Sequence, residues 1–224
     1  MHVVLFDIDG TLLSSGGAGK AAMEAALADC FGLAKVDEKI PYAGRTDRAI
    51  MHDLMSRHGI QPTEAHHTLL INAYLERLPA YLTTHQGRVL PGIVTLLVEL
   101  AHRGAVAIGL LTGNLEAGAR VKLGHFDLWR HFAFGGFGDR HLDRNDVARE
   151  ALAILQARHA NGVFLERVWV VGDTPLDIAC ARAIGARAAA VATGGHSLAE
   201  LAQEKPDLLF ADLTDPGPLL QRLA

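Results

Sequence analysis

Residues 3–13 read VVLFDIDGTLL: four apolar residues run directly into Asp7 and Asp9, with Gly10 and Thr11 behind them. An uninterrupted apolar run of this length predicts a strand buried on both faces, because a strand with one wet face alternates with polar residues. Three further runs share that character: Val106–Leu111, Val168–Val171 and Ala188–Val191. Around and between them lie helical patterns over Gly92–Arg103, Leu115–Leu123, Val147–His159 and Leu176–Ile184. Strands alternating with helices predict an α/β fold, a doubly wound, Rossmann-like parallel sheet covered on both faces.

Residues 14–88 break this rhythm. They hold helical patterns over Ala18–Phe31, Thr46–His58 and Thr63–His85 and no convincing strand. The expected organisation is an α/β core from residues 1–14 and 89–224, with an inserted helical cap domain over 15–88. The glycine-rich SSGGAG of residues 14–19 suits a hinge. An insert placed after the first strand sits above the C-terminal edge of the sheet, where open α/β sheets bind ligands.

Composition narrows the function class. With 224 residues, 50% hydrophobic and 21% charged, the chain has the balance of a soluble globular protein with one substantial core. A formal charge of −4 and no basic run argue against nucleic acid or an anionic membrane as partner. Cys30 and Cys180 sit in Ala-rich apolar surroundings and read as buried free thiols of a reducing cytoplasm. No signal peptide or long apolar span is legible, so a cytoplasmic protein is expected. The adjacent His66 and His67 read as solvated surface.

The strand ends carry the chemistry. The first ends in Asp7 and Asp9, the second in Thr112-Gly113-Asn114, the third in Asp173 and Asp177. Side by side in a doubly wound sheet, these four carboxylates would repel one another in a partly dry cleft. A divalent cation with oxygen preference relieves that, and Mg²⁺ fits because it needs few protein ligands. The Thr112 hydroxyl and the amides around Gly113 and Asn114, at a helix start, offer donors to an anion. A carboxylate, a metal and an anion cradle together predict phosphoryl transfer through an aspartyl-phosphate.

The set resembles the haloacid dehalogenase superfamily, specifically its phosphoglycolate phosphatase-like branch with a helical cap, and the resemblance covers nearly the whole chain. DIDGT matches the first family motif, LLTGN the second and VVGDTPLDIACARAIGA the fourth. The resemblance implies Asp7 as nucleophile and Asp9 as general acid/base. It implies that Thr112 holds the phosphoryl group. Asp173 and Asp177 would hold Mg²⁺ with Asp7 and the Asp9 backbone carbonyl.

The chain departs from its relatives at the third motif, where GDRHLDRNDVARE has no lysine. Two residues could supply the missing cation: Arg144, at roughly the expected loop position, and Lys122, in the small, apolar ARVKLGHF segment. A compact ammonium favours Lys122, with Arg144 then bracing the loop against Asp143 or Asp146. In AGRTDRAI, Arg45 could clamp a substrate carboxylate or second phosphate; alternatively Thr46 is an N-cap and Arg45 is solvated.

The expected activity is Mg²⁺-dependent hydrolysis of a small phosphorylated metabolite, of the phosphoglycolate or sugar phosphate type. A phosphomutase of the same branch is the alternative, and a dehalogenase is disfavoured by Asp9. A monomer or homodimer is expected.

Overall fold

The structure is a computed structural model, and it describes residues 1–36, 39–158 and 164–223. In chain order the elements are β1 (His2–Phe6), β2 (Leu13–Ser14), α1 (Ala18–Phe31), α2 (Asp47–Arg57), α3 (Glu64–Thr84) and β3 (Arg88–Val89). There follow α4 (Ile93–His102), β4 (Val106–Leu111), α5 (Glu116–His125), β5 (Gly135–Gly136), α6 (Arg144–Arg158) and β6 (Val168–Gly172). The chain closes with α7 (Pro175–Ala183), β7 (Arg187–Val191), α8 (Leu198–Gln203), β8 (Leu208–Phe210) and α9 (Gly217–Arg222). His159, the expected end of α6, lies outside the described residues.

β1 is the centre of a six-stranded sheet in the order β5-β4-β1-β6-β7-β8, parallel at every pairing. Its four apolar residues are fully buried, as the unbroken run requires. The pleat divides them. Val4 and Phe6 join Leu96, Leu97, Leu100 and Leu123 on one face of the sheet. Val3 and Leu5 join Val147, Ala151, Ile178 and Leu201 on the other. Each buried aliphatic or aromatic side chain contributes roughly 1.5–3 kcal/mol of transfer free energy, so the strand anchors two cores at once.

The strand order puts the switch point at β1. From β1 the chain builds outward through β4 to β5, then returns to β6 on the other side and continues to β8. Crossovers therefore leave in opposite directions on either side of β1, and a crevice opens beyond its C-terminal end. Asp7 and Asp9 stand there.

The inserted helices α1, α2 and α3 pack a hydrophobic cluster of their own, with Met23, Leu27, Met51, Leu54, Leu70 and Leu78 at its centre. β2 pairs antiparallel with β3, Leu13 against Val89 and Ser14 against Arg88, so the chain leaves and re-enters the core side by side. Between β2 and α1, Gly16 and Gly17 take positive φ, and a Cβ on Gly16 would come within 2.9 Å of the Gln86 backbone. His67 departs from expectation: it is buried and stacks on His52 with ring centroids 6.0 Å apart, because it lies on the inward face of α3. Cys180 is buried as expected, whereas Cys30 is only half-buried. No helix among the described residues is long and apolar enough to cross a membrane.

Candidate active site

The turn after β1 separates the two aspartates. The amides of Thr11, Leu12 and Leu13 all donate to the Ile8 carbonyl, and Gly10 donates to the Leu13 carbonyl. Gly10 sits at φ +86°, and a Cβ there would fall 2.4 Å from an Asp173 carboxylate oxygen. The position thus needs glycine twice, for its backbone conformation and for the close approach.

Asp7 belongs to a buried cluster with Asp173 and Asp177, in which one ligand atom from each lies within 4.8 Å of the others. Arg144, itself buried, places one guanidinium nitrogen 2.8 Å from Asp7 Oδ1 and in hydrogen-bond contact with Asp177 Oδ1. The other Asp177 oxygen accepts from the Thr174 amide and hydroxyl, closing a capping box at the start of α7. Thr11 donates its hydroxyl to Asp173 Oδ1 at 3.1 Å.

Asp9 faces a different set. Its Oδ2 lies 2.6 Å from Lys122 Nζ and 3.0 Å from Asn114 Nδ2, and Ser15 donates to Oδ1 at 3.2 Å. Asn114 ties this side together: Oδ1 accepts from Lys122 at 2.6 Å, and Nδ2 also donates to Thr112 Oγ1 at 2.9 Å. The Thr112 hydroxyl oxygen accepts from the Asn114 amide as well. With its oxygen accepting twice, the hydroxyl proton is left to donate, the orientation an incoming anion needs.

The electrostatics differ accordingly. Burial pushes Asp7 up to about 6 against the pull of Arg144, with Asp177 and Asp9 adding to the rise. Asp173 is pushed up to about 8 by burial and by the carboxylates of Asp177 and Asp7. Burial would raise Asp9 too, but the Lys122 ammonium and the bonds from Lys122, Asn114 and Ser15 hold it below the usual carboxylate range. Four carboxylates against Lys122 and Arg144 leave the strand ends short of two positive charges. The Asp7, Asp173 and Asp177 cluster therefore fits a divalent cation with oxygen preference.

Both cation candidates reach the site, and they divide the work differently from expectation. Arg144, not Lys122, pairs with Asp7; Lys122 pairs with Asp9. Nor does Arg144 brace the loop: Asp143 accepts from the Asn145 amide, and Asp146 pairs with Arg149. The reason is that α6 begins one turn before its apolar pattern, at Arg144, which turns that side chain under the sheet edge.

Thr46 is the N-cap of α2, accepting from the Ala49 amide at 3.1 Å. Arg45 lines the cavity, but its guanidinium is engaged by Asp53 at 2.7 Å and by the Pro41 carbonyl. The expected anion cradle at the start of α5 is narrower than the sequence implies. The Leu115 and Glu116 amides already donate to Asp47 and Asp139, the Thr112 amide to the Gly136 carbonyl and the Asn114 amide to Thr112 Oγ1, and of this turn Gly113 and Asn114 line the cavity. Sequence reasoning missed Ser15, Asp47 and Tyr74. Asp7, Asp9, Lys122, Arg144, Asp173 and Tyr74 all line one cavity of about 320 Å³ beneath the inserted helices.

A profile of haloacid dehalogenase-like hydrolases matches residues 4–191. Phosphoglycolate phosphatase of Synechococcus elongatus is 30% identical over 221 residues, covering 99% of this chain and 96% of the relative. Phosphoglycolate phosphatase 1 of Pseudomonas aeruginosa is 29% identical over 233 residues, covering 100% and 81%. Among solved structures, CbbY from Rhodobacter sphaeroides, determined in complex with phosphate, has the same fold. It superposes with a TM-score of 0.73 over 97% of this chain and 96% of that one, at 21% identity. With a family profile that spans residues 4–191 and a relative 30% identical over nearly the whole of both chains, the chain belongs to the haloacid dehalogenase-like hydrolase family.

Proposed function

We propose that this chain hydrolyses the phosphate ester of a small metabolite, of the phosphoglycolate or sugar phosphate type, through an aspartyl-phosphate on Asp7. The observation that carries the reading is the separation of two carboxylates two residues apart. Asp7 is held by Arg144 in a buried acidic cluster, Asp9 is held by Lys122 and Asn114, and both open on one cavity.

In the first half-reaction an Asp7 oxygen attacks phosphorus, the P–O bond to the alcohol breaks, and Asp9, which takes up a proton as the dianionic ester draws the Lys122 ammonium from it, gives that proton to the departing oxygen. In the second, Asp9 takes a proton from water as that water attacks phosphorus, and inorganic phosphate leaves with Asp7 restored. Thr112 orients a phosphoryl oxygen by donating its hydroxyl proton, and Lys122 offsets phosphoryl charge from the Asp9 side. Asp7, Asp173 and Asp177, with the Asp9 backbone carbonyl, are the groups that would hold Mg²⁺. Mg²⁺ supplies charge neutralisation for the dianionic ester.

A cavity of about 320 Å³ lies at the small end of ligand sites, which suits a small substrate. The relatives named phosphoglycolate phosphatase support the same size class. The mutase alternative needs a cation for a second phosphate, and Arg45, the candidate for it, is already paired with Asp53. The test is release of inorganic phosphate from phosphoglycolate, sugar phosphates and nucleotides, with and without Mg²⁺. Metal-dependent release from small esters is expected; no release from any ester would overturn the proposal.

A further inference from the structure

Asp47 comes from the inserted helices, yet its contacts are with the core. It is the first residue of α2 and is buried. Its backbone amide donates to the Gly113 carbonyl at 2.7 Å, and its carboxylate Oδ2 accepts from the Leu115 amide at 3.0 Å. The two bonds straddle Asn114. They grip the backbone on either side of the one residue whose side chain joins Thr112, Asp9 and Lys122.

The packing around this grip is close. A Cβ on Gly113 would stand 2.0 Å from the Arg45 carbonyl oxygen, and one on Gly138 would stand 2.1 Å from the Gly113 carbonyl oxygen. Glycine at both places lets the loop of the insert lie directly against the Thr112-Gly113-Asn114 turn. An amide side chain with three partners has little choice of rotamer once its backbone is fixed; the Gly138 amide holds the Asn114 carbonyl at 2.8 Å, and the two Asp47 bonds hold the peptide units on either side of it.

We infer that Asp47 is a positioning residue: seated from the helical insert, it fixes the Asn114 backbone and through Asn114 holds Asp9, Thr112 and Lys122 in working register. The consequence is that docking of the insert completes the acid/base side of the site. Misplacing a reacting group by about 1 Å can cost on the order of 10²-fold in rate, and loss of supporting contacts around a site costs about 10- to 100-fold.

The inference rests on the phosphatase reading for its kinetic arm only. Asp47→Ala removes the acceptor for Leu115, whereas Asp47→Asn keeps an oxygen in the same place. Asp47→Ala should lower kcat for p-nitrophenyl phosphate with Mg²⁺ by about 10- to 100-fold, with KM moving less, and Asp47→Asn should stay within about 3-fold of wild type. Amide hydrogen exchange at Leu115, read on the same proteins without substrate, should speed up at least about 10-fold in Asp47→Ala and little in Asp47→Asn. Gly113→Ala, which keeps the Asp47 side chain but drives the Arg45–Thr46 backbone off the turn, should expose the Leu115 amide in the same way and serves if Asp47→Ala does not fold. Unchanged Leu115 exchange in Asp47→Ala or Gly113→Ala would overturn the inference, as would wild-type kcat in a folded Asp47→Ala. So would Asp47→Asn as impaired as Asp47→Ala, since charge and not position would then be what matters. If the wild type releases no phosphate at all, the phosphatase reading fails by itself while the exchange data still judge the clamp.

Discussion

Replacing Arg144 by alanine would strand two buried carboxylates. A single guanidinium nitrogen serves both Asp7 and Asp177, and the two side chains it touches are 6% and 2% exposed. Breaking a buried pair by removing one partner costs about 3–5 kcal/mol, because the remaining charge is left uncompensated. Part of that is relieved when Asp7, already pushed up to about 6 by burial, takes a proton, so the lower end, about 3 kcal/mol, is expected near neutral pH. For a chain of this size each kcal/mol moves Tm by about 2–4 °C, which predicts a fall of about 6–12 °C.

Arg144→Lys is the informative companion. Only one nitrogen of Arg144 makes these contacts, and its Nε is buried without a partner. A lysine keeps the charge and discards the unpaired Nε, at the cost of one bond length of reach. It should recover at least about half of the lost stability and bring kcat/KM closer to wild type than alanine does. The assay is urea or thermal unfolding of wild type, Arg144→Ala and Arg144→Lys, with phosphate release measured on the same samples. Arg144→Ala with wild-type Tm and wild-type kcat/KM would show that the pairing with Asp7 and Asp177 does not exist in solution.

Asp9→Asn should cut turnover by about 10²- to 10⁴-fold, the usual worth of general acid/base catalysis, without lowering Tm by more than about 3 °C; stopped-assay kinetics beside a melt will tell. Lys122→Ala removes both bonds of its ammonium, to Asp9 and Asn114, and should cost at least about 10²-fold in kcat/KM; a near-wild-type value would remove Lys122 from the site's working set. Metal-free protein should lose stability as pH rises. Asp173 is raised from 3.8 to about 8, so between those values the folded state binds more protons than the unfolded state, and unfolding free energy falls across that window. Melts in chelator at about pH 5.5 and about pH 8 should show the drop, and Mg²⁺ should raise Tm more at the higher pH; a metal-free Tm that climbs over that range would contradict the buried acidic cluster.

The strands with fully apolar side chains were legible because burial on both faces leaves an unbroken run, as in Val3–Phe6 and Val168–Val171. β5 carried no such signal: it is Gly135–Gly136, two residues without side chains that join the sheet only through backbone bonds to β4. β8, three residues long beyond Pro206, was equally silent. The four aspartates could be read from their places at strand ends. Arg144 was harder, because an arginine before an apolar helical pattern reads as loop, and only the fold turns it under Asp7. Asp47 was hidden by local plausibility: an acidic residue in a first helical turn already has a reason to be there, in the helix dipole. That it also accepts from an amide of another helix is a tertiary fact with no local signature.

The direct trial of the mechanism is to look for the phosphoryl group itself. Asp9→Asn, mixed with an activated phosphate ester and Mg²⁺ and quenched in acid, should accumulate the acyl phosphate, because loss of the base slows attack by water. Peptide mass spectrometry should then find one added phosphoryl group on the fragment containing Asp7, and Asp7→Asn should show neither the adduct nor turnover. A phosphoryl group on any other residue, or full turnover in Asp7→Asn, would contradict the assignment of Asp7 as nucleophile.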